Sequence, residues 1–211
     1  MTDRDPTQPA LVRRSRPVRD GFGFLAAFLS RPKSVGAVLP SSRFLARALV
    51  GSLDLQPGEL VVEFGPGTGP MTEVIQERLP PGARYLGIEL EERFHELLVQ
   101  RFPELDFHLG SAAELPALLA DRDLPKPVRI ISGLPFASLP AAVQDGVIGA
   151  VTESLAPGAD FRTFQYVHAY RLAAARRFRK LMAGRFTNFE RIGPVIRNVP
   201  PAYVLRYYTE A

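Results

Sequence analysis

Short apolar runs alternate with helix-like stretches along most of this chain. Five runs have the length and the β-branched or aromatic content of buried strands: residues 60–64, 85–90, 105–109, 128–132 and 161–167. Helical patterns cover about 70–79, a stretch that ends near 102, 140–155 and 171–183. Two further β-rich runs follow at 186–192 and 203–208. Because strands alternate with helices, the pattern predicts a mostly parallel sheet with right-handed crossovers and helices on both faces.

The first 33 residues have a different pattern. Arginines and prolines dominate the first twenty positions, which is typical of a disordered or surface-bound arm. Phe24 and Phe28, like Leu25 and Leu29, are four residues apart, so a helix would cluster these side chains on one face. Ser41 or Ser42 is then expected to cap a second helix. We therefore predict a basic arm with an amphipathic helix over residues 1–33 and a single α/β domain over 34–211.

Charge is distributed unevenly along the 211 residues. The net charge is +4 over residues 1–33, −7 over 34–159 and +7 over 160–211. Basic ends around an acidic centre favour an anionic partner, for which nucleic acid and an anionic membrane surface are the two candidates. Solvated basic faces on a soluble protein are the plainer alternative.

Composition excludes several classes of protein. With no cysteine, the chain has no disulfide scaffold, thiol nucleophile or cysteine-based zinc site, and we predict no metal site. No apolar run approaches the roughly 20 residues needed to span a bilayer, and the N-terminus lacks a secretory signal pattern. We expect a cytoplasmic protein and a monomer.

The most informative stretch is Glu63-Phe64-Gly65-Pro66-Gly67-Thr68-Gly69, which follows an apolar run and opens a helical segment. An acidic residue at the end of a strand and a glycine-rich turn let the backbone approach a nucleoside cofactor closely. Dinucleotide sites and phosphate loops look similar, although this stretch lacks the Lys-Ser/Thr pair of a phosphate loop.

Two further segments end predicted strands. Glu89 ends the second strand twenty residues after Gly69, where its carboxylate can accept hydrogen bonds from both hydroxyls of a ribose. Gly110-Ser111-Ala112 follows the third strand, where a polar residue and backbone groups can face an adenine. A surface glutamate and an ordinary loop serine are the structural alternatives.

Ser132-Gly133-Leu134-Pro135-Phe136 follows the fourth strand. Ligands of open α/β sheets bind at the carboxyl ends of the strands, so a polar residue, a proline and an aromatic ring at this point can form an amine-sized slot. A strand-to-helix turn with a core phenylalanine is the alternative for this segment taken alone.

Taken together, these residues resemble the class I S-adenosylmethionine-dependent methyltransferases over about residues 34–209. E-F-G-P-G-T-G resembles their first motif, Glu89 their ribose-binding acid and Gly110-Ser111-Ala112 their adenine loop, although the third motif often has Asp where this chain has Ser111. S-G-L-P-F is similar to the fourth motif of the amino-methylating members. The resemblance implies a Rossmann-like seven-stranded fold, S-adenosyl-L-methionine as cofactor and S-adenosyl-L-homocysteine as product. The cofactor-binding residues it implies are Glu63, Gly65, Gly67, Thr68, Gly69, Glu89, Leu90, Ser111, Ala112 and Ser132.

Two branches of that superfamily carry similar first and fourth motifs: ribosomal RNA adenine dimethyltransferases and bacterial phospholipid N-methyltransferases. The segments 34–42, S-V-G-A-V-L-P-S-S, and 197–202, R-N-V-P-P-A, resemble the lipid enzymes. We also expect this chain to lack the C-terminal helical domain of the RNA enzymes. These features favour the lipid branch. The resemblance implies a phosphatidylethanolamine N-methyltransferase that methylates its substrate stepwise toward phosphatidylcholine. An RNA adenine N6-methyltransferase is the alternative.

The N-terminal helix fits the lipid interpretation, because apolar insertion combined with basic flanks is what an interfacial helix needs. We therefore expect a peripheral protein on the inner face of the cell membrane, with a phospholipid substrate and no nucleic acid partner. Packing of these phenylalanines in the core is the alternative. The residues expected at the membrane are Phe24, Leu25, Phe28, Leu29, Arg19, Arg31 and Lys33.

For the chemistry, the attacking amine must be neutral, and a methylated product favours aromatic neighbours. Phe136 and Tyr166 are the predicted aromatic residues around the amine, His168 can accept a proton, and backbone carbonyls at Ser132 and Gly133 can orient the amine. Cations should meet the lipid phosphate. The residues predicted to contact the headgroup or its phosphate are Arg197, Asn198 and Tyr203.

Overall fold

The structure is a computed structural model that describes residues 41–210, and its centre is one seven-stranded sheet. In chain order the strands are β1 (Leu60–Phe64), β2 (Arg84–Glu89), β3 (Asp106–Leu109), β4 (Arg129–Ser132), β5 (Asp160–Tyr166), β6 (Asn188–Val195) and β7 (Ala202–Tyr208). The helices are α1 (Arg43–Val50), α2 (Pro70–Arg78), α3 (Glu92–Arg101), α4 (Leu115–Asp121), α5 (Ala141–Ser154) and α6 (Ala173–Ala183).

The strand order is β3-β2-β1-β4-β5-β7-β6, with β1 to β5 parallel and β7 antiparallel to both of its neighbours. The predicted Rossmann-like, mostly parallel sheet is therefore confirmed. The last two strands run antiparallel because only residues 196–201 join them, and a connection this short cannot make a parallel crossover.

Helices cover both faces of the sheet, so the central strands are almost entirely buried. All five residues of β1 are buried, as expected for a strand packed on two sides. One face packs mainly against α4, α5 and α6, and the other against α1, α2 and α3. Sequence patterns located every strand end to within three residues, but they missed α4 and the short 3₁₀ turn at Ala112–Glu114 that precedes it.

Helix α1 begins where the sequence predicts. Ser42 is its N-cap, and the Ser42 hydroxyl accepts a hydrogen bond from the Leu45 N–H at 3.2 Å. Leu45 and Leu49 are fully buried against the sheet. The amphipathic helix and basic arm predicted for residues 1–33 lie outside the described residues, as does the segment 34–40. Within residues 41–210, no helix has both the length and the apolar character that crossing a bilayer requires.

A buried charge cluster ties together the amino edge of the sheet. The carboxylate of Asp160, at the start of β5, accepts hydrogen bonds from Arg129 (2.8 Å), Arg162 (3.0 Å) and Arg206 (2.9 Å). Burial raises the pKa of Asp160, but hydrogen bonds and charges from Arg162 and Arg129 outweigh it and lower that pKa below its ordinary value. Arg162 also donates to the Val50 carbonyl at 3.0 Å, so the cluster anchors the end of α1. This edge is opposite the one that carries the candidate site.

Candidate functional site

The glycine-rich turn connects the carboxyl end of β1 to α2. Gly65 N–H donates to the Ile88 carbonyl at 2.9 Å, and Gly69 N–H donates to the Pro66 carbonyl at 3.0 Å, so the turn is fixed against β2. Gly67 has φ of 60°, and apart from its own chain neighbours no atom of residues 41–210 lies within 4 Å of where a β-carbon would be. A left-handed residue that faces open space lets a ligand approach the backbone. Thr68 completes the turn, and its carbonyl accepts from Arg101 at 2.7 Å.

Glu89, at the carboxyl end of β2, is almost fully buried directly beside this turn. Its Oε2 accepts from Gly67 N–H at 2.9 Å, and its Oε1 accepts from the N–H groups of Leu90 and Glu91 at 2.9 and 3.0 Å. Burial raises the pKa of Glu89, while the three backbone donors favour the charged form. Each carboxylate oxygen has more than one acceptor site, so Glu89 can still accept from two neighbouring hydroxyls of a ribose.

Glu63 lies on β1, directly before the glycine-rich turn, and is fully buried. Its Oε2 accepts hydrogen bonds from the hydroxyls of Tyr85 (2.6 Å) and Thr72 (2.9 Å), whereas Oε1 has no partner among residues 41–210. Burial, which outweighs these donors, raises the pKa of Glu63 to about 7. An unpaired buried acceptor at the base of the turn is suited to a donor from a bound ligand.

Sequence reasoning did not find Thr72 and Tyr85, the two residues that hold Glu63. Thr72 lies in the first turn of α2, and Tyr85 is on β2 diagonally across from Glu63. The residue directly opposite Glu63 is Gly87, and a β-carbon there would collide with the Tyr85 hydroxyl at 2.7 Å. A glycine inside a predicted central strand was the available signal, because it marks a close approach of a neighbouring group.

A narrow, largely apolar cleft opens beside Glu89. Ser111 lines it, but the Ser111 hydroxyl also caps the following 3₁₀ turn by accepting from Ala113 N–H at 3.2 Å, in a reciprocal box with Glu114. The predicted residues Gly65, Glu89, Leu90, Ser111 and Ala112 meet in this cleft. Its lining residues are Gly65, Ile88, Glu89, Leu90, Gly110, Ser111, Ala112, Leu134, Val143 and Val147.

Ser132 and Gly133 bring the fourth-strand segment against the glycine turn. Ser132 is fully buried, and its hydroxyl accepts from Leu134 N–H at 3.2 Å. A β-carbon on Gly133 would lie 2.7 Å from the Gly65 carbonyl oxygen, so no side chain fits between the two segments. Because Gly133 has no side chain, the segments that follow β1 and β4 can lie this close together.

Phe136 corrects one prediction. Its ring is fully buried, stacks on Phe178 with centroids 4.2 Å apart and meets the edge of Phe161 at 6.2 Å. It was expected to line an open amine slot, but in the described residues it is a core side chain whose ring is covered by other aromatic rings. Burial of the apolar ring in the core stabilises the fold, although the ring follows a polar motif in sequence.

Tyr166 and His168 lie at the carboxyl end of β5, on the predicted edge of the sheet. Their rings stack with centroids 5.6 Å apart, and Tyr166 also packs against Phe164. The Tyr166 hydroxyl is buried with no partner among the described residues, and burial raises its pKa. His168 is exposed. An unsatisfied hydroxyl next to an accessible imidazole can orient a polar ligand group at this edge.

Asn198 is structural, which corrects its predicted contact with a headgroup. It is 2% exposed; its Oδ1 accepts from Ser42 N–H at 2.8 Å and its Nδ2 donates to the Pro200 carbonyl at 2.7 Å. The side chain joins the β6–β7 connection to the start of α1, and its burial keeps it away from a headgroup at the surface.

Arg197 and Tyr203, the two residues predicted with Asn198, lie apart from each other. The exposed guanidinium of Arg197 sits 4.9 Å from the centre of the Phe44 ring. Tyr203 instead borders a groove that includes His168. The predicted headgroup set is therefore divided between the surface near α1 and the groove.

The residues present fit a nucleoside cofactor. A buried carboxylate lies beside a left-handed glycine, an acceptor with no partner within residues 41–210 lies at the base of the turn, and a narrow apolar cleft lined in part by Leu134 and Ala112 opens beside the carboxylate. Residues 41–210 contain no group of three or more His, Asp or Glu side chains arranged to hold a metal ion.

Comparison with known sequences gives relatives of two kinds. No family model matches the chain. An ornithine lipid N-methyltransferase of Singulisphaera acidiphila is 33% identical over 147 residues, which are 68% of this chain and 77% of that protein. Ribosomal RNA small subunit methyltransferase A of Salinibacter ruber is 38% identical over 108 residues, but these cover 50% of this chain and only 35% of that protein.

Comparison with solved structures concerns the fold alone. The O-methyltransferase TomG of Streptomyces achromogenes, solved in complex with SAM, superposes with a TM-score of 0.59 over 90% of both chains at 17% identity. Identity this low supports the shared architecture and carries no information about the acceptor.

Proposed function

The chain belongs to the class I S-adenosylmethionine-dependent methyltransferases, in the family of the ornithine lipid N-methyltransferase described above, and we propose that it methylates the headgroup amine of a membrane lipid. The specific acceptor that we propose is phosphatidylethanolamine, together with its mono- and dimethylated forms, toward phosphatidylcholine. The observation that carries the lipid acceptor is the similarity to a lipid N-methyltransferase over most of that relative's length.

S-adenosylmethionine is the methyl donor, and when bound it supplies an electrophilic methyl group on a sulfonium. We assign Glu89 to the ribose hydroxyls, Gly67 to close backbone approach, and the cleft between Leu134 and Ala112 to the adenine. Oε1 of Glu63, which has no partner within residues 41–210, is then available to a donor on the cofactor's amino-acid end. Together these groups fix the position of the methyl carbon, which is most of what an in-line displacement needs from a protein.

The acceptor nitrogen attacks with its lone pair, so a headgroup ammonium must first lose a proton. His168 is an exposed imidazole at the carboxyl end of β5 and is our candidate to receive that proton. The Tyr166 hydroxyl beside it, which has no partner in the described part of the chain, is our candidate to orient the amine. As methyl groups accumulate, the ring of Tyr166 offers an aromatic face to the growing cation.

An apolar surface at the same edge favours a membrane as the partner. The β6–β7 tip, which we define as residues 196–201, exposes Ile196 by 75% and Val199 by 70%, and the neighbouring Phe44 is 46% exposed. Arg197 lies between the two aliphatic residues in sequence and contacts Phe44. Apolar side chains mixed with cations match an anionic interface, where an inserted Ile or Val contributes about 1.5–3 kcal/mol and each basic residue about 1 kcal/mol.

Because Ala202 pairs with Tyr166, this tip projects from the carboxyl edge of the sheet, beside the candidate site. We propose that the protein binds peripherally to the inner face of the cell membrane through the β6–β7 tip, with the predicted segment 1–33 as a second contact. Lipid headgroups would then reach the site without leaving the bilayer.

Transfer of labelled methyl groups tests the acceptor. We expect incorporation into phosphatidylethanolamine in anionic vesicles; incorporation into ornithine lipid alone would change the lipid assignment. The matches to ribosomal RNA methyltransferases over half of the chain make RNA the second candidate. Incorporation into RNA and not into either lipid would refute the proposal.

Vesicle flotation tests the membrane surface. Ile196→Ser combined with Val199→Ser should weaken binding to anionic vesicles several-fold. Val99→Ser is the matched control, since Val99 is 45% exposed on α3, away from the tip. Equal binding by the tip variant and the control would show that the tip is not a membrane contact.

A further inference from the structure

A groove of about 490 Å³ lies at the carboxyl edge of the sheet, on the side of β5 away from β4. It follows β5 directly and reaches across to the start of β7. The residues that line it are Val167, His168, Tyr170, Arg171, Arg191 and Tyr203. Three aromatic side chains and two guanidinium groups thus face one space next to the proposed acceptor site.

The two arginines of the groove have no counter-ion among the described residues. No carboxylate within residues 41–210 lies within 4 Å of Arg171 or Arg191, whereas Arg177 on the nearby helix α6 pairs with Asp145 at 2.8 Å. Arg191 is instead held over aromatic rings, 4.8 Å from the Tyr203 centroid and 5.5 Å from that of Tyr170. A guanidinium stacked on aromatic rings keeps its N–H donors available for an anion.

The aromatic wall is braced from behind. Tyr170 and Tyr203 meet edge to face with centroids 5.2 Å apart. Arg179 covers Tyr170 at 3.7 Å, and the same guanidinium donates to the buried Gln165 side chain at 2.6 Å. The positions of Arg191 and both tyrosines are thereby fixed before any ligand arrives, which lowers the entropy cost of binding.

We propose that this groove binds the anionic group of a zwitterionic lipid headgroup, through Arg191 and Arg171, so that the headgroup amine is left at the end of β5 near Tyr166 and His168. The inference rests on the proposed function and adds a substrate site to it. The required chemistry is an anion a few bonds from an amine: the phosphodiester of an ethanolamine lipid or the carboxylate of an ornithine lipid. A planar guanidinium binds two oxygens of either group.

Arg191→Gln tests the groove, with Arg171→Gln as a second variant and Arg176→Gln as the matched control. Arg176 is an exposed arginine on α6 that does not line the groove, so all three variants change net charge equally. Removing a hydrogen bond to a charged group predicts that the groove variants raise the KM for lipid in mixed micelles about tenfold or more. Arg176→Gln should stay within about twofold of wild type, and S-adenosylmethionine affinity by calorimetry should be unchanged in all three.

Soluble probes separate a lipid headgroup from free phosphate. Inorganic phosphate and phosphoethanolamine should inhibit wild type competitively against lipid, and the groove variants less so. Methylation of phosphoethanolamine as fast as lipid would overturn the lipid assignment of the groove, as would RNA methylation whose KM rises in Arg191→Gln.

The groove and the proposed function can fail separately. A wild-type enzyme that methylates neither lipid contradicts the proposed function. Lipid methylation that responds equally to Arg191→Gln and Arg176→Gln overturns the groove alone, because the arginines would then act only through overall charge.

Discussion

The buried carboxyl of Glu63 predicts a specific dependence of stability on pH. Glu63 ionises in the unfolded chain with an ordinary pKa of 4.5, whereas burial raises the pKa of the folded carboxyl to about 7. Below pH 4.5 the carboxyl is protonated in both states and carries no penalty. As pH rises from 4.5 to about 7, the unfolded chain releases a proton that the folded protein keeps, so the free energy of unfolding falls. Above about pH 7 the folded protein buries the charge, and the loss is complete.

The size of this loss follows from the two pKa values. Their difference corresponds to about 3 kcal/mol of folding free energy between pH 4.5 and pH 8. Glu63→Gln keeps the shape and an acceptor for Tyr85 and Thr72 but cannot ionise. We therefore expect Glu63→Gln to gain about 3 kcal/mol relative to wild type between pH 4.5 and pH 8, whatever its stability at pH 4.5.

Urea unfolding followed by far-UV circular dichroism measures this difference, since the chain has no tryptophan. Comparing the two proteins at each pH removes the contribution of every other titrating group. Tyr85→Phe is a second variant: it deletes a donor that lies 2.6 Å from Glu63 Oε2, so it should raise the pKa of Glu63 further, and the fall in stability should become larger and extend to higher pH. A stability gap between wild type and Glu63→Gln that is the same at pH 5 and pH 8 would refute the reasoning.

Three other substitutions have defined outcomes. Glu89→Gln should weaken S-adenosylmethionine binding about tenfold or more by calorimetry, because an amide replaces a carboxylate acceptor, while Glu92→Gln leaves the affinity unchanged. Asp160→Asn should lower the free energy of unfolding by about 3 kcal/mol or more, because the buried Arg162 loses its charge partner; an unchanged urea midpoint would contradict this. Asn198→Ala should cost about 1–2 kcal/mol of stability and leave cofactor affinity intact, whereas unchanged stability with lost lipid turnover would restore a direct headgroup role.

Several features of the site were predictable because neighbouring residues determine them. A strand followed by E-x-G-x-G-x-G needs only local geometry, and Gly67 does adopt the left-handed conformation that a side chain disfavours. Glu89 was placed correctly because the carboxyl ends of adjacent parallel strands meet at one edge, so a strand-terminal acid after β2 must lie beside the turn after β1.

Other predictions failed where the partner is distant in sequence. Asn198 looks like a polar loop residue, yet its partner is the Ser42 N–H, 156 positions away. Phe136 follows a polar motif, but its ring stacks on Phe178 of α6 in the core. Sequence patterns give the chemistry of such side chains and not the group that each one meets.

The sequence alone therefore determined the order of the strands along the chain, the glycine-rich turn after β1 and the buried acid at the end of β2, because periodicity and short-range backbone geometry specify them. Only the tertiary structure decided which polar residues are structural, how Glu63 is buried with Tyr85, and which arginines share a groove. Those outcomes depend on contacts between segments tens of residues apart, and packing of the sheet and its helices is what brings such segments together.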